Sequence, residues 1–188
     1  MTISATPQRR ATRILLVCLG NICRSPTAEG VLRDLLAREA PQLAVEIDSA
    51  GTGDYHLGSP PDARTQCAAL RRGIDLSGLR ARQVSTQDFM RFDWLLAMDM
   101  ANLRALAAMR PAGSAARLGL FMDFASEPHP PEVPDPYLGE ERDFERVLDL
   151  TAAASRGLMR WLQQRSQQPI EAAGEGDGNR QGEHPRHQ

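Results

Sequence analysis

Residues 14–32 read ILLVCLGNICRSPTAEGVL. The opening ILLVC is a short, continuous apolar run, the pattern of a strand buried on both faces. From Pro26 the pattern changes period. Ala28, Val31, Leu32, Leu35 and Leu36 recur at helical spacing through residue 39, and Pro26 suits a first helical turn. A strand handed directly to a helix through a short Gly-Asn loop is the start of a βα unit. The same alternation continues outward. LAVEIDS at 43–49 predicts a strand ending at Gly51, and 60–72 a helix stopped by Gly73. Ser85 or Thr86 is expected to cap a short helix through Arg91. DWLLAM at 93–98 predicts a strand and 100–109 a helix; 117–122 is a weaker strand containing Gly119. A proline-rich loop at 124–138 precedes a long amphipathic helix at 140–164. Strands alternating with helices imply an α/β fold. The expectation is a single doubly wound domain of about four parallel strands with helices on both faces, flavodoxin- or Rossmann-like. Ligands of such sheets bind beyond the carboxyl ends of the strands, which is where Cys18 falls.

Composition narrows the function classes. The chain has 188 residues, 41% of them hydrophobic and 24% charged, with a net charge of -2. That is enough for one domain with a real core, and the charge gives no reason to expect nucleic acid or a membrane surface as partner. No apolar run approaches the roughly 18–20 residues that span a bilayer. The apolar run after the N-terminal arginines is too short for a signal peptide, so a cytoplasmic setting is expected. Three cysteines, Cys18, Cys23 and Cys67, make no even disulfide framework and fit a reducing compartment. The globular unit is expected over 12–166, with a flexible arm at 1–11 and a disordered, Gly- and Glu-rich tail at 167–188. His184 and His187 read as solvated tail residues, and neither a metal nor a cofactor is expected.

The loop CLGNICRS carries chemistry. Its backbone amides, from Leu19, Gly20, Asn21, Ile22 and Cys23, together with the helix start, can form an anion nest. Gly20 and Asn21 are residue types that tolerate left-handed backbone. Arg24 adds a planar fork that matches two phosphate oxygens. Such a positive environment favours the thiolate of Cys18 and suits in-line attack on phosphorus with a cysteinyl-phosphate intermediate. Core filler, a metal ligand and a disulfide are the plainer uses of a thiol here. The Gly, Asn, Arg and Ser that follow speak against the first, and the lack of a second close Cys or His pair against the second.

VCLGNICRSPTAEGVL resembles the signature of the low-molecular-weight protein tyrosine phosphatases, whose loop is C-x5-R-S at the end of the first strand. DSAGTGDYHLGSPPDARTQ, GIDLSGLRARQV, FDWLLAMDMANLRAL and PDPYLG resemble further family segments in family order, so the likeness spans about residues 13–163. The resemblance implies hydrolysis of phosphotyrosine. Cys18 would be the nucleophile, Arg24 the phosphate clamp, Asp135 the general acid and later base, and Ser25 the hydroxyl that helps the thiolate leave. Ser25 could equally cap the following helix. Asn21 and Ser49 resemble the pair that holds the loop in shape, Glu29 the carboxylate that orients Arg24, and Asp99 a supporting aspartate near the mouth. Ile22, Tyr55 and Tyr137 would wall the ring. Related arginine phosphatases carry threonine where this chain has Ile22, which favours phosphotyrosine.

Leu79 stands where the family often has a histidine bonded to the loop Ser and Asn, so a looser network around Asn21 and Ser49 is expected. Arg72 similarly replaces a common histidine. The implied partner is a phosphotyrosyl protein, and for bacterial members a tyrosine kinase of polysaccharide export. Two other functions share this loop: a thiol-dependent arsenate reductase, which needs further relay cysteines, and an inactive phosphate-binding regulatory module. Cys23 is placed to form a reversible disulfide with Cys18 under peroxide, as an alternative to simple loop packing.

Overall fold

The computed structural model describes residues 10–126 and 128–167. The expected arm and tail, with His184 and His187, therefore lie outside the described residues except at 10–11 and 167; Gln167 is the last residue of a helix. Strands β1 (Thr12–Cys18), β2 (Val45–Gly51), β3 (Trp94–Ala97) and β4 (Arg117–Leu120) form one parallel sheet in the order β2-β1-β3-β4. Helices α1 (Arg24–Glu39), α2 (Ala63–Arg71), α3 (Asp88–Arg91), α4 (Met100–Met109) and α5 (Glu141–Gln167) complete the domain.

The pleat of β1 explains its unbroken hydrophobicity. Ile14, Leu16 and Cys18 face a core built with α1 and α5, including Leu32, Leu36, Leu158 and Leu162. Leu15 and Val17 face the opposite core with Phe89, Leu95 and Leu106 of α3, β3 and α4. Alternate residues thus point to two different layers, and both need to be apolar. The chain leaves β1 toward β2 and later returns to the other side as β3. That reversal opens a crevice at the carboxyl ends of β1 and β3, immediately beyond Cys18.

Several boundaries move for local reasons. Helix α1 begins at Arg24, so Ser25 lies inside its first turn and is not its cap. Leu43 closes a turn onto the Ala40 carbonyl, and β2 pairs with β1 from Val45↔Thr12 to Gly51↔Cys18. Helix α2 starts after Pro60-Pro61, where the Asp62 carboxylate caps it by accepting the Arg64 N–H at 2.8 Å. At α3 the expected capping runs in reverse, with Asp88 reaching back to the Ser85 N–H at 2.8 Å. β4 stops at Leu120 because the Asp123 carboxylate takes its N–H at 3.3 Å and turns the chain into a 3-10 helix, Phe121–Phe124. Phe124 then packs edge-on with Trp94 and Trp161, centroids 5.3–5.9 Å apart, joining β3 to α5.

Leu16 is wholly buried at the centre of the sheet, whereas Leu138 is 94% exposed. Leu16→Ala is expected to lower unfolding free energy by about 2–5 kcal/mol. Leu138→Ala should change it by no more than about 0.5 kcal/mol. Urea melts of the two variants check the pair.

Candidate active site

The loop from Cys18 to Arg24 is shaped by what happens to its carbonyls. Those of Cys18 and Leu19 accept the N–H groups of Thr52 and Gly53 at 2.9 Å each. That of Ile22 accepts the Asp62 N–H at 2.9 Å, and that of Cys23 accepts the Thr27 hydroxyl at 2.7 Å. Each trans peptide that turns its carbonyl outward turns the next N–H inward. The amides after these four residues therefore turn inward, the orientation an anion nest would need. Gly51 permits this seating: a Cβ there would lie 2.6 Å from the Leu19 carbonyl oxygen.

One residue takes the strain. Asn21 has φ 54, a left-handed value that among the described residues only it adopts outside glycine. Gly20, expected to share that conformation, does not; a Cβ on it would instead crowd the His56 ring at 3.0 Å. The Asn21 amide is fully engaged. Nδ2 donates to the hydroxyls of Ser25 and Ser49 at 2.9 Å each, and Oδ1 accepts the Arg82 N–H at 2.9 Å. Its backbone N–H lies 3.2 Å from Cys18 Sγ, and Ser25 Oγ is 3.0 Å from the same sulfur. With Asn21 donating to it, the Ser25 hydroxyl has two acceptors within reach of its own proton, the Cys18 sulfur at 3.0 Å and the Ala50 carbonyl at 3.4 Å.

Arg24, with Cys18, Asn21 and Ser25, is buried. Its guanidinium bridges two carboxylates, Nη1 to Asp99 at 2.5 Å and Nη2 to Asp135 at 2.9 Å. Burial alone would lower the Arg24 pKa, but the negative groups Cys18, Asp135 and Asp99 outweigh it and raise it. Asp99 is fixed in turn as the cap of α4, accepting the Asn102 N–H at 2.7 Å. The loop carrying Asp135 is laid onto the end of β3 by the Val133 N–H, 2.8 Å from the Met98 carbonyl.

Glu29 does not reach Arg24. It pairs with Arg33 at 2.7 Å and lies beside Ser49. One turn beyond Ser25 it sits beneath the Asn21–Ser49 pair, while the Arg24 side chain departs toward β3. The orienting role expected of Glu29 belongs to Asp99. Leu79 leaves no gap in the network either. It packs against the apolar cluster that contains Ile22 and Cys23, and Asn21 still makes its bonds to Ser25, Ser49 and Arg82 at 2.9 Å each.

Cys18, Ile22, Tyr55, His56, Asp135 and Tyr137 line a cavity of about 300 Å³, with Leu19, Gly20, Cys23 and Arg24 completing its wall. Tyr55 is 74% exposed at the rim, facing Tyr137 across the opening. A larger cleft of about 570 Å³, near Arg91 and Trp161 at the other end of the sheet, holds none of these residues. His56, whose ring centroid is 6.0 Å from that of Tyr137, was missed in the sequence although it adjoins Tyr55. The two loop thiols are unequal. Burial, with Asp62, Cys18 and Asp135 nearby, pushes the Cys23 thiol up to about 12. Cys67 lies exposed on α2, away from the cavity, with Arg71 donating to its sulfur at 3.3 Å.

A family model described as low molecular weight phosphotyrosine protein phosphatase matches residues 13–168. The low molecular weight protein-tyrosine-phosphatase YfkJ of Bacillus subtilis is 39% identical over 154 residues, covering 82% of this chain and 97% of that protein. The crystal structure of a protein tyrosine phosphatase from Entamoeba histolytica, with Hepes in its active site, superposes with a TM-score of 0.78. It is 35% identical and covers 83% of this chain and 99% of its own. Wzb of Vibrio vulnificus in complex with benzylphosphonate gives a TM-score of 0.67 at 28% identity, covering 81% of this chain and 98% of its own.

Burial raises the Glu29 pKa above the ordinary 4.5. The folded chain then holds this proton more tightly than the unfolded one. The resulting stability is complete below the unfolded-state pKa and is lost as pH rises through the folded-state value. Glu29→Gln, which cannot ionise, is therefore expected to gain stability relative to the parent as pH rises from about 4.5 toward neutrality. Urea unfolding across that range measures the difference.

Proposed function

The chain belongs to the low molecular weight phosphotyrosine protein phosphatase family, and from that premise we propose how its residues divide the work of a protein-tyrosine phosphatase. The Cys18 thiolate attacks the phosphorus of phosphotyrosine in line with the ester oxygen. As the S–P bond forms, the P–O bond breaks, its electron pair passes to the phenolic oxygen, and Asp135 delivers a proton there. The loop amides and Arg24 hold the three equatorial oxygens. Water then attacks the cysteinyl-phosphate, giving its proton to Asp135. The S–P pair returns to Cys18 as thiolate, stabilised by the Ser25 hydroxyl, and phosphate departs. The observation that carries this reading is the convergence of Cys18, Arg24 and Asp135 on one cavity, with Arg24 paired directly to Asp135.

The cavity walls support an aromatic phosphomonoester. Ile22 offers an apolar surface deep inside, and Tyr55 and Tyr137 flank the opening. Cys67 is not placed to act in the disulfide relay that an arsenate reductase would need. A thiol nucleophile works only where it stays reduced, which supports a cytoplasmic setting. No helix among the described residues is long and apolar enough to cross a membrane. A bacterial tyrosine kinase of polysaccharide export remains the proposed source of substrate, supported by the likeness to bacterial members. Cys23 is assigned a protective role. If peroxide converts Cys18 to a sulfenic acid, the Cys23 thiol can displace water and leave a disulfide that an external thiol reduces. Cys23→Ser should then recover less activity than the parent after peroxide followed by thiol; equal recovery would assign Cys23 to packing alone.

Turnover of phosphotyrosine, phosphoserine and phosphoarginine peptides tests the main reading. The parent should act on phosphotyrosine, and Cys18→Ser should abolish the rate. Asp135→Asn should lose about 10²-fold or more on esters with poor leaving groups. Binding of phosphate without any hydrolysis would instead indicate a regulatory module. Ile22→Thr should shift the balance of rates toward phosphoarginine.

A further inference from the structure

We infer that Arg64, gripped by Asp62, is a positioning residue for Asp135, setting the acid in register with the nucleophile loop; this rests on the assignment of Asp135 as general acid. Residues 125–140 contain no helix or strand among those described, so no ladder fixes where Asp135 stands. Upstream, the loop is tied to β3 through Val133. Asp135 itself folds the chain locally by accepting the Tyr137 N–H at 3.2 Å on its Oδ1, while its Oδ2 faces Arg24. Downstream, Arg64 reaches across from α2. Its Nη2 donates to the Tyr137 carbonyl at 3.0 Å, and its Nη1 lies 3.5 Å from the Gly139 carbonyl.

Arg64 can act as a strut because it is itself held. Its Nε and Nη2 fork onto the two Asp62 oxygens at 3.0 and 2.9 Å. Its guanidinium lies over the buried ring of Phe144 at 4.6 Å from the centroid. The Asp62 backbone N–H, in turn, bonds the Ile22 carbonyl of the nucleophile loop. A continuous chain of contacts therefore runs Ile22, Asp62, Arg64, Tyr137, Asp135. It joins the loop that carries the attacking sulfur to the loop that carries the proton donor. Lysine cannot replace this link, since an ammonium cannot engage both Asp62 oxygens in a planar fork while reaching a carbonyl beyond. The Arg64 side chain is 45% exposed, so its removal leaves no core cavity.

A misplaced acid matters only when the leaving oxygen needs a proton. Single-turnover rates of phosphoenzyme formation in the full chain distinguish this from general damage. Phenyl phosphate serves as the poor leaving group and 2,4-dinitrophenyl phosphate as the good one. Arg64→Ala and Arg64→Lys are both expected to slow phenyl phosphate by about tenfold while holding 2,4-dinitrophenyl phosphate within about twofold. Asp62→Asn, which keeps the helix cap but loses the charged fork, should show a smaller loss with the same selectivity. Combining Arg64→Ala with Asp135→Asn should add nothing to the loss from Asp135→Asn alone. Equal losses on both substrates, no loss, or additive losses in the double variant would overturn the positioning role while leaving Asp135 as acid. An Asp135→Asn variant without leaving-group dependence would overturn the acid assignment, and the inference with it.

Discussion

The side-chain amide of Asn21 holds the site together. An L-residue in the left-handed region gives up about 1–2 kcal/mol, less for asparagine than for most. Three hydrogen bonds made by that amide, donated to Ser25 and Ser49 and accepted from the Arg82 N–H, each return about 0.5–1.5 kcal/mol. Together they outweigh that cost, so the network holds the strained turn in place. What the turn achieves is directional. With its carbonyls bonded outward to residues 27, 52, 53 and 62, the loop presents amides to the sulfur and to whatever anion sits above it. The same Asn21 fixes the Ser25 hydroxyl beside the Cys18 sulfur. Loop shape and the place of that hydroxyl therefore depend on a single residue.

Arg24 supplies the complementary constraint. A buried guanidinium requires compensating charge, and two carboxylates provide it. They are not equivalent. Asp99 is tied to the N-terminus of α4 and is only 19% exposed, while Asp135 is 45% exposed on an irregular loop. A phosphoryl group entering above Cys18 competes for the Arg24 Nη2 with the looser partner. Asp99 keeps the guanidinium oriented, and Asp135 is the less constrained of the two carboxylates. Two aspartates bound to one arginine thus differ by their attachment alone, which is the difference the proposed acid role of Asp135 needs.

The sheet, its parallel sense and the place of Cys18 at a strand end were legible in residues 14–32, because a doubly buried strand and an amphipathic helix have distinct periods. The proline-bounded helix start at Ala63 was also readable in principle, since Asp62 follows two prolines and precedes the helix. What escaped local pattern is contact at long range. Arg24 meets Asp135 across 111 positions, and only likeness to a known family pointed to that pair. Glu29 shows the opposite failure. Its place on α1 was correct, but the helix turns its carboxylate under Ser49 and leaves Arg24 to Asp99. At Leu79, a residue read only as the loss of a family histidine, the Asn21 bonds to Ser25 and Ser49 are made at 2.9 Å without it. The 3-10 turn at Phe121–Phe124 depends on one aspartate reaching back three residues, which periodicity does not register.

Cys18 and Cys23 share one loop, yet their surroundings assign them opposite characters. Around Cys18 an amide N–H and a hydroxyl converge on the sulfur, with the buried Arg24 charge close by. Around Cys23 there is apolar packing from Val31, Ala68 and Leu148, and burial holds the thiol protonated. With its thiol pushed up to about 12, Cys23 stays protonated at neutral pH. Cys23 cannot compete for phosphorus on those terms.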